Sequence, residues 1–480
     1  MMKNKKLYIL AILAIAFTSC NKELDEVNIN PNAPEIPQAD YLLTGAIKNT
    51  SDTYWGTTNN LNSSLLFVQH WAKVQYTEED RFIYSNSSFT SLWSTGYAQS
   101  IAGLNKIVEL ADAQGNPNYK GVALVLRSWV FLLLTDAYGD VPYTQAGKIK
   151  QFVTPVYDKQ KDVYYGILAD LKSAQTALDP ALGAPAISGD IMYGGNITHW
   201  KEFANSLRLR IALRIADKEP TKSKAVIDEI KAEGGNYINS NAFNAQLVYQ
   251  TSPQQNPVAA SFETRNDYRI SKTIVDKLFD LKDPRLPIYA SKTENVTPQV
   301  YVGIPNGSTN SEASAIGLAN SSKPGAYFLN PLAPAVILSY AEVLFDRAEA
   351  AARGFTTENA ADLYNQAIRA SFGQYGLSGT VVDDYINQAA VQYDASNYKK
   401  SIGEQKWIAL FGQGLEAWAE QRRLDYPQLT ASVNTVLNGK IPVRFIYPGS
   451  EQSLNGQNYK NAVSNQGADL LTTKLWFDTF

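Results

Sequence analysis

The residues best suited to catalysis are few and scattered. His70 and His199 are the only histidines and Cys20 is the only cysteine, so no cluster of zinc ligands and no Cys/His pair can be drawn. No phosphate-cradling Gly-rich loop, dinucleotide fingerprint or nucleophile elbow occurs. The Asp and Asn residues form no twelve-residue calcium loop. Carboxylate chemistry is what remains. A glycosidase needs only two carboxylates about 5 to 10 Å apart, and Glu78, Glu79 and Asp80 beside Trp71 and Tyr76 are the best candidates. Three adjacent acids also make an ordinary solvated turn. The expectation is a non-enzyme with no catalytic residue, no metal and no cofactor.

Binding chemistry is better represented. Aromatic residues make up 11% of the chain, with 28 tyrosines and 8 tryptophans, and many stand in polar, loop-like surroundings. Flat rings suit the apolar faces of sugars, and nearby Asn, Asp and Arg can satisfy hydroxyls or peptide groups. The densest set is Tyr54, Trp55, Asn59, Asn60, Trp71, Tyr76, Arg81 and Tyr84. A second comprises Phe262, Arg265, Tyr268 and Tyr301. Some members of the two sets are expected to face each other across a shallow cleft, the others to be core aromatics. Trp93 and Trp129, at helical spacing among apolar neighbours, belong to the core. Capture by exposed stacking corresponds to micromolar to millimolar dissociation constants, about −8 to −4 kcal/mol, weak enough for release.

Helices must position these residues. Ala341, Leu344, Phe345, Ala348 and Ala352 recur at helical spacing and Gly354 ends the pattern; Ala360, Leu363, Tyr364, Ala367 and Ser371 repeat it before Gly373. This is a helical hairpin of tetratricopeptide size. Similar pairs run from Trp93 to Tyr138, Tyr157 to Ile215 and Glu404 to Leu429, at irregular spacing. Trp407, Ile408, Phe411, Leu415 and Trp418 read as one continuous helical face, with Gly412 and Gly414 inside the helix. Val122 to Leu134 is too short, and too interrupted by Arg127 and Ser128, to cross a membrane, and reads as a buried helix. Arg208, Arg210, Arg422 and Arg423 are expected to be ion-paired within the scaffold, and Asp283-Pro284-Arg285 to form a structural turn. From about Gly235 to Pro334, Asn, Ser, Thr, Gly, Pro and Gln dominate. Helical spacing survives there only at Ser271 to Leu281, with β-like runs at 245–249 and 299–303. Loops on a rigid scaffold are where binding residues collect.

The N-terminal region supplies an address. Lys3, Lys5 and Lys6 precede an apolar run from Leu7 to Phe17 and then Thr18-Ser19-Cys20, which reads as a signal peptide ending in a lipidated cysteine. Losing those three lysines takes the formal charge from −3 to −6, which argues against nucleic acid as a partner. The expected organisation is 1–19 signal peptide, 20–37 lipidated tether, 38–234 N-terminal helical scaffold, 235–334 irregular loop-rich lobe, and 335–480 C-terminal helical hairpins with a closing segment.

Several blocks resemble the SusD/RagB superfamily, especially its SusD-like lipoprotein branch. They are Asn28-Ile-Asn-Pro-Asn-Ala-Pro34, Tyr138-Gly-Asp-Val-Pro-Tyr143, Trp200 to Arg210, Asp283-Pro-Arg285, Ala341 to Ala350, Gln405 to Phe411 running to Glu416 through Arg423, and the closing Tyr447-Pro448 with Asn458-Tyr459. The resemblance implies a mainly α fold, a tetratricopeptide-like helical hairpin scaffold carrying a loop-rich lobe. It also implies a surface-exposed, lipid-anchored outer-membrane protein that captures oligosaccharides or peptides. The implied partner is a TonB-dependent outer-membrane barrel transporter of SusC type. A glycan-degrading lipoprotein and a helical-repeat scaffold for protein partners are the alternatives.

Overall fold

The protein is described by a computed structural model that covers residues 37–182, 187–431 and 434–480. The signal peptide, Cys20 and nearly all of the tether expected from the sequence lie outside the described residues. The helices include α1 (Ala39–Trp55), α2 (Ala102–Gln114), α3 (Pro117–Tyr138), α4 (Gln160–Ala177), α5 (Ile197–Arg214), α6 (Pro220–Ala232), α7 (Pro257–Thr264), α8 (Lys272–Asp280), α9 (Tyr340–Ala352), α10 (Ala360–Gly373), α11 (Tyr398–Ala409) and α12 (Gly414–Leu424). Sequence neighbours pack on each other, α2 with α3, α4 with α5, α9 with α10 and α11 with α12, while α3 also packs on α4.

Local chemistry explains the boundaries. Asn116 caps α3 by accepting from the Tyr119 amide at 3.3 Å, and Pro117 pre-sets the first turn. Ser339 caps α9 through the Glu342 amide at 3.2 Å, and Asn359 caps α10 through the amides of Ala361 and Asp362. The Val122–Leu134 run is part of a 22-residue helix, longer than its apolar core suggests. By length and composition α3 could cross a membrane, yet 94% of its most apolar window is buried inside the protein. Arg127, which interrupts the run, reaches out to Asp170 on α4 at 2.9 Å and Asn105 on α2 at 2.8 Å.

Four helices are joined through buried charge. Arg210 on α5 makes a fork to Glu342 on α9 at 2.7 and 2.8 Å. Arg214 binds Glu416 at 2.6 Å and Glu420 at 2.9 Å on α12. Lys406 on α11 bridges Asp346 and Glu420, and Arg423 forks onto Glu349 at 2.5 and 2.6 Å. Glu349, Glu416, Glu420 and the four cations each have at least two charged partners, the condition under which buried pairs are tolerated, while Glu342 and Asp346 are each held by one cation. Arg208 is paired with Glu229 and Glu233, as expected. Arg422 departs from the expectation: it donates to the carbonyls of Asp136 and Val443, both at 2.9 Å, and lies 3.7 Å over the Trp418 ring. Arg285 is held by both oxygens of Asp283, so that turn is structural.

Within 235–334 helix forms not only near 271–281 but also at Pro257–Thr264 and Asn310–Ile316, and two further expected elements differ. The face from Trp407 to Trp418 is broken, because Gly412 has φ +89° and separates α11 from α12. Close packing is the reason: a Cβ there would stand 3.0 Å from Phe328 and 3.1 Å from Trp55, and one on Gly414 would stand 2.5 Å from Asn60 Oδ1. Residues 299–303 form no strand. Extended pairing occurs instead between β1 (Trp71–Lys73) and β3 (Tyr268–Ile270), and between β2 (Ala245–Leu247) and β4 (Ala335–Leu338), both antiparallel.

Candidate ligand-binding site

The β1–β3 ladder joins the two residue sets that the sequence singles out. Trp71 pairs with Ile270 and Lys73 with Tyr268, and the Val74 amide continues the ladder to the Asp267 carbonyl at 2.7 Å. Trp71 and Phe262 meet edge to face at 6.0 Å, and Phe262 lies 6.0 Å from Tyr268. Just beyond the ladder, Tyr76 is turned outward with φ +51° and is 60% exposed. The Arg265 guanidinium lies 5.3 Å from the centre of its ring and is held by Asp267 at 2.7 Å. The nearby carboxylate also favours the charged guanidinium, raising its pKa.

The loop bearing Tyr76 is anchored from beneath. Asp80 is fully buried and accepts from the Lys73 amide at 3.0 Å and from Asn306 Nδ2 at 2.8 Å. Burial pushes its pKa up to about 6. The same Asn306 amide donates to the Trp71 carbonyl at 2.8 Å, so one side chain ties strand, loop and lobe together. Asn310 accepts from the Thr77 amide at 3.0 Å and donates to Glu78 at 3.2 Å. Asn434 donates to Glu312 at 2.8 Å, and the Val436 amide donates to the Arg81 carbonyl at 3.1 Å. Segments 74–84, 262–267, 304–312 and 434–436 thus converge on one end of the molecule. Asn306, Asn310 and Asn434 carry no spacing signal that marks them in the sequence.

The twelve residues named from the sequence divide by burial. Tyr54, Trp55, Asn59, Asn60, Trp71 and Tyr268 are each at most 5% exposed. Tyr54 packs edge to face on Trp129 at 5.7 Å. Trp55 Nε1 donates to the Val336 carbonyl at 3.0 Å, and Asn59 donates to the Thr53 carbonyl at 3.2 Å. Asn60 pins the α11–α12 turn, donating to the Gly412 carbonyl at 3.0 Å and accepting from the Gly414 amide at 2.9 Å. Tyr84 and Tyr268 both bind Asn62 through their hydroxyls at 2.6 Å. Arg81 is half-buried beside Glu78 at 3.4 Å. Tyr301 lies on a neighbouring loop, where its ring faces Lys292 and not Tyr76. The surface that remains for a ligand is Tyr76 and Arg265, with Phe262 and Asn310 at its margin.

Carboxylate chemistry is poorly served here. Glu79 is paired with Lys73 at 2.9 Å, Glu78 with Arg81, and Asp80 is interior and not part of a solvated turn. Among the described residues no group of three or more His, Cys, Asp and Glu could hold a metal ion. His70 is buried against Trp407 and Phe411, while His199 stacks on Phe243 and contacts Glu202 at 2.9 Å. A cleft of about 660 Å³ lies between α8, α11 and residues 426–429, but none of the twelve residues lines it and its Lys277 and Glu404 pair with each other at 2.7 Å. The exposed ring and guanidinium on anchored loops can hold a ligand by stacking and hydrogen bonding.

Residues 31–448 match a family model described as starch-binding and associating with the outer membrane, the SusD-like model. Among solved structures, a chitin-binding protein superimposes with TM-score 0.84 at 30% identity over 92% of this chain and 100% of that one. A SusD homolog from Bacteroides uniformis superimposes with TM-score 0.80 at 28% identity, with the same coverage. A chitin-binding SusD homolog from Flavobacterium johnsoniae, at 24% identity and TM-score 0.83 over 92% of this chain and 98% of that one, shares the fold. No curated protein matches the chain.

Proposed function

We propose, since the chain belongs to the SusD-like family of starch-binding proteins that associate with the outer membrane, that it captures oligosaccharides at the Tyr76–Arg265 end and delivers them to a TonB-dependent barrel. The anchor is the lipidated Cys20, the exposed face is the outer one, and the protein performs no chemistry on its cargo. The observation that carries this reading is the β1–β3 ladder, which sets an exposed aromatic ring beside a guanidinium on one rigid edge.

Support comes from three directions. Tyr76 is a solvated ring on a loop whose underside is tied by Asp80 and Asn306, so little ordering is needed on binding. The carboxylates nearby are spent on Lys73, Arg81 and Asn306, which favours holding over hydrolysis. The 30%-identical neighbour is described as chitin-binding, so a β-linked amino-sugar chain joins starch as a first cargo to test.

Calorimetric titration of the purified protein against maltooligosaccharides, chitooligosaccharides and short peptides, with chromatography of the ligand afterwards, tests the reading. One glycan class should bind with a micromolar to millimolar constant and be recovered intact. Recovery of shortened products, or binding of peptides alone, would overturn glycan capture. Isolation of the full chain from membranes with a barrel protein attached is expected, and its recovery from a soluble fraction after Cys20→Ser tests the anchor.

A further inference from the structure

A second built cavity lies on the helical scaffold, on elements that share nothing with the Tyr76 loop. The start of α4, the turn after α5 and the segment 465–478 enclose about 510 Å³, within the usual range for small-ligand sites. Four lysines line it: Lys159, Lys161, Lys218 and Lys474. Lys161 is paired with Glu219, whereas the other three make no ion pair among the described residues. The two carboxylates in the lining are recessed. Asp140 is 6% exposed and accepts from the Gln160 amide at 2.9 Å; Asp478 is 7% exposed and accepts from the Phe480 amide at 3.1 Å. The lining residues that meet solvent with a charge are thus the lysines, with Glu219 held by Lys161 and Asp162 beside it.

One further feature points to more than a bare ion. The half-buried Trp476 contributes an indole to the wall, backed by Tyr164 at 6.2 Å. Exposed ammonium groups select acid, and an indole face selects a ring with C–H bonds on one side.

We infer that this cavity binds an acidic saccharide unit, a sugar ring carrying a carboxylate or sulfate, with the acid among Lys159, Lys218 and Lys474 and the ring against Trp476. Its ligand class differs from that proposed for the Tyr76 end, and the two sites stand or fall separately.

Titration of the full purified chain with trigalacturonate, with its methyl ester, with inorganic sulfate and with phosphatidylglycerol vesicles tests the assignment. Trigalacturonate should bind at least about tenfold more tightly than the ester or sulfate, and the affinity should fall at high salt. The double variant Lys218→Glu/Lys474→Glu should lose at least about tenfold, since exposed charges are reversed without touching the core. Trp476→Ala should weaken trigalacturonate and leave sulfate unchanged. Equal affinity for acid and ester overturns the proposal, as does sulfate binding as tightly as trigalacturonate, which would mean an adventitious ion only. Vesicle binding without trigalacturonate binding would assign the lysines to a lipid headgroup instead. The salt dependence and ester comparison use the unaltered protein, so a misfolded variant does not blunt the test.

Discussion

Single residues separate the proposed ligand edge from its support. Tyr76 is exposed and touches little besides Arg265, so Tyr76→Ala should change the folding free energy by less than about 0.5 kcal/mol, as thermal melts would show. Asp80 lies beneath the same loop. Asp80→Ala leaves the Lys73 amide and part of the Asn306 amide without an acceptor and should cost about 1 to 3 kcal/mol in denaturant titration, with ligand affinity falling as the loop loosens. His70 makes a different prediction. Burial lowers its pKa to about 3, below the unfolded value of 6.5. As pH falls below 6.5 the unfolded chain takes a proton that the fold refuses, so stability drops by about 1.4 kcal/mol per pH unit from this group. His70→Phe should remove that slope; parallel pH profiles for variant and parent between about pH 4 and 6.5 would contradict it.

At the scale of elements, legibility in the sequence followed the range of the interactions. The α9–α10 hairpin was readable because its apolar repeat and Gly354 stop are both local. The β1–β3 ladder was not, because two three-residue strands almost 200 residues apart carry no local pattern. Burial misled the aromatic reading for a related reason. Trp55 and Trp71 stand among polar residues, but Asn59 and Asn60 are themselves interior, occupied in holding carbonyls and the α11–α12 turn. That turn explains why the continuous helix expected from Trp407 to Trp418 does not form. Gly412→Ala places a Cβ in the left-handed region and against Trp55, and should cost about 1 to 3 kcal/mol by chemical denaturation. A neutral result would mean the turn is not constrained by packing.

For the molecule as a whole, the buried charges join scaffold helices far apart in sequence. Arg214 alone contacts Asp136, Glu416 and Glu420. Arg214→Leu takes one cation from three buried carboxylates and should cost about 3 to 5 kcal/mol, whereas Lys224→Leu, which breaks an exposed pair with Asp228, should cost under about 1 kcal/mol. The sequence conveyed this scaffold, its family resemblance and the loop-rich lobe; the long-range register that sets Trp71 beside Tyr268 under the proposed ligand edge came only with the structure. The most direct test of that edge is calorimetric titration of the preferred oligosaccharide into parent, Tyr76→Ala and Tyr76→Phe proteins. Loss of at least about tenfold in Tyr76→Ala, with Tyr76→Phe within about twofold of the parent, is predicted from ring stacking. Equal affinity in all three would contradict capture at this end of the molecule.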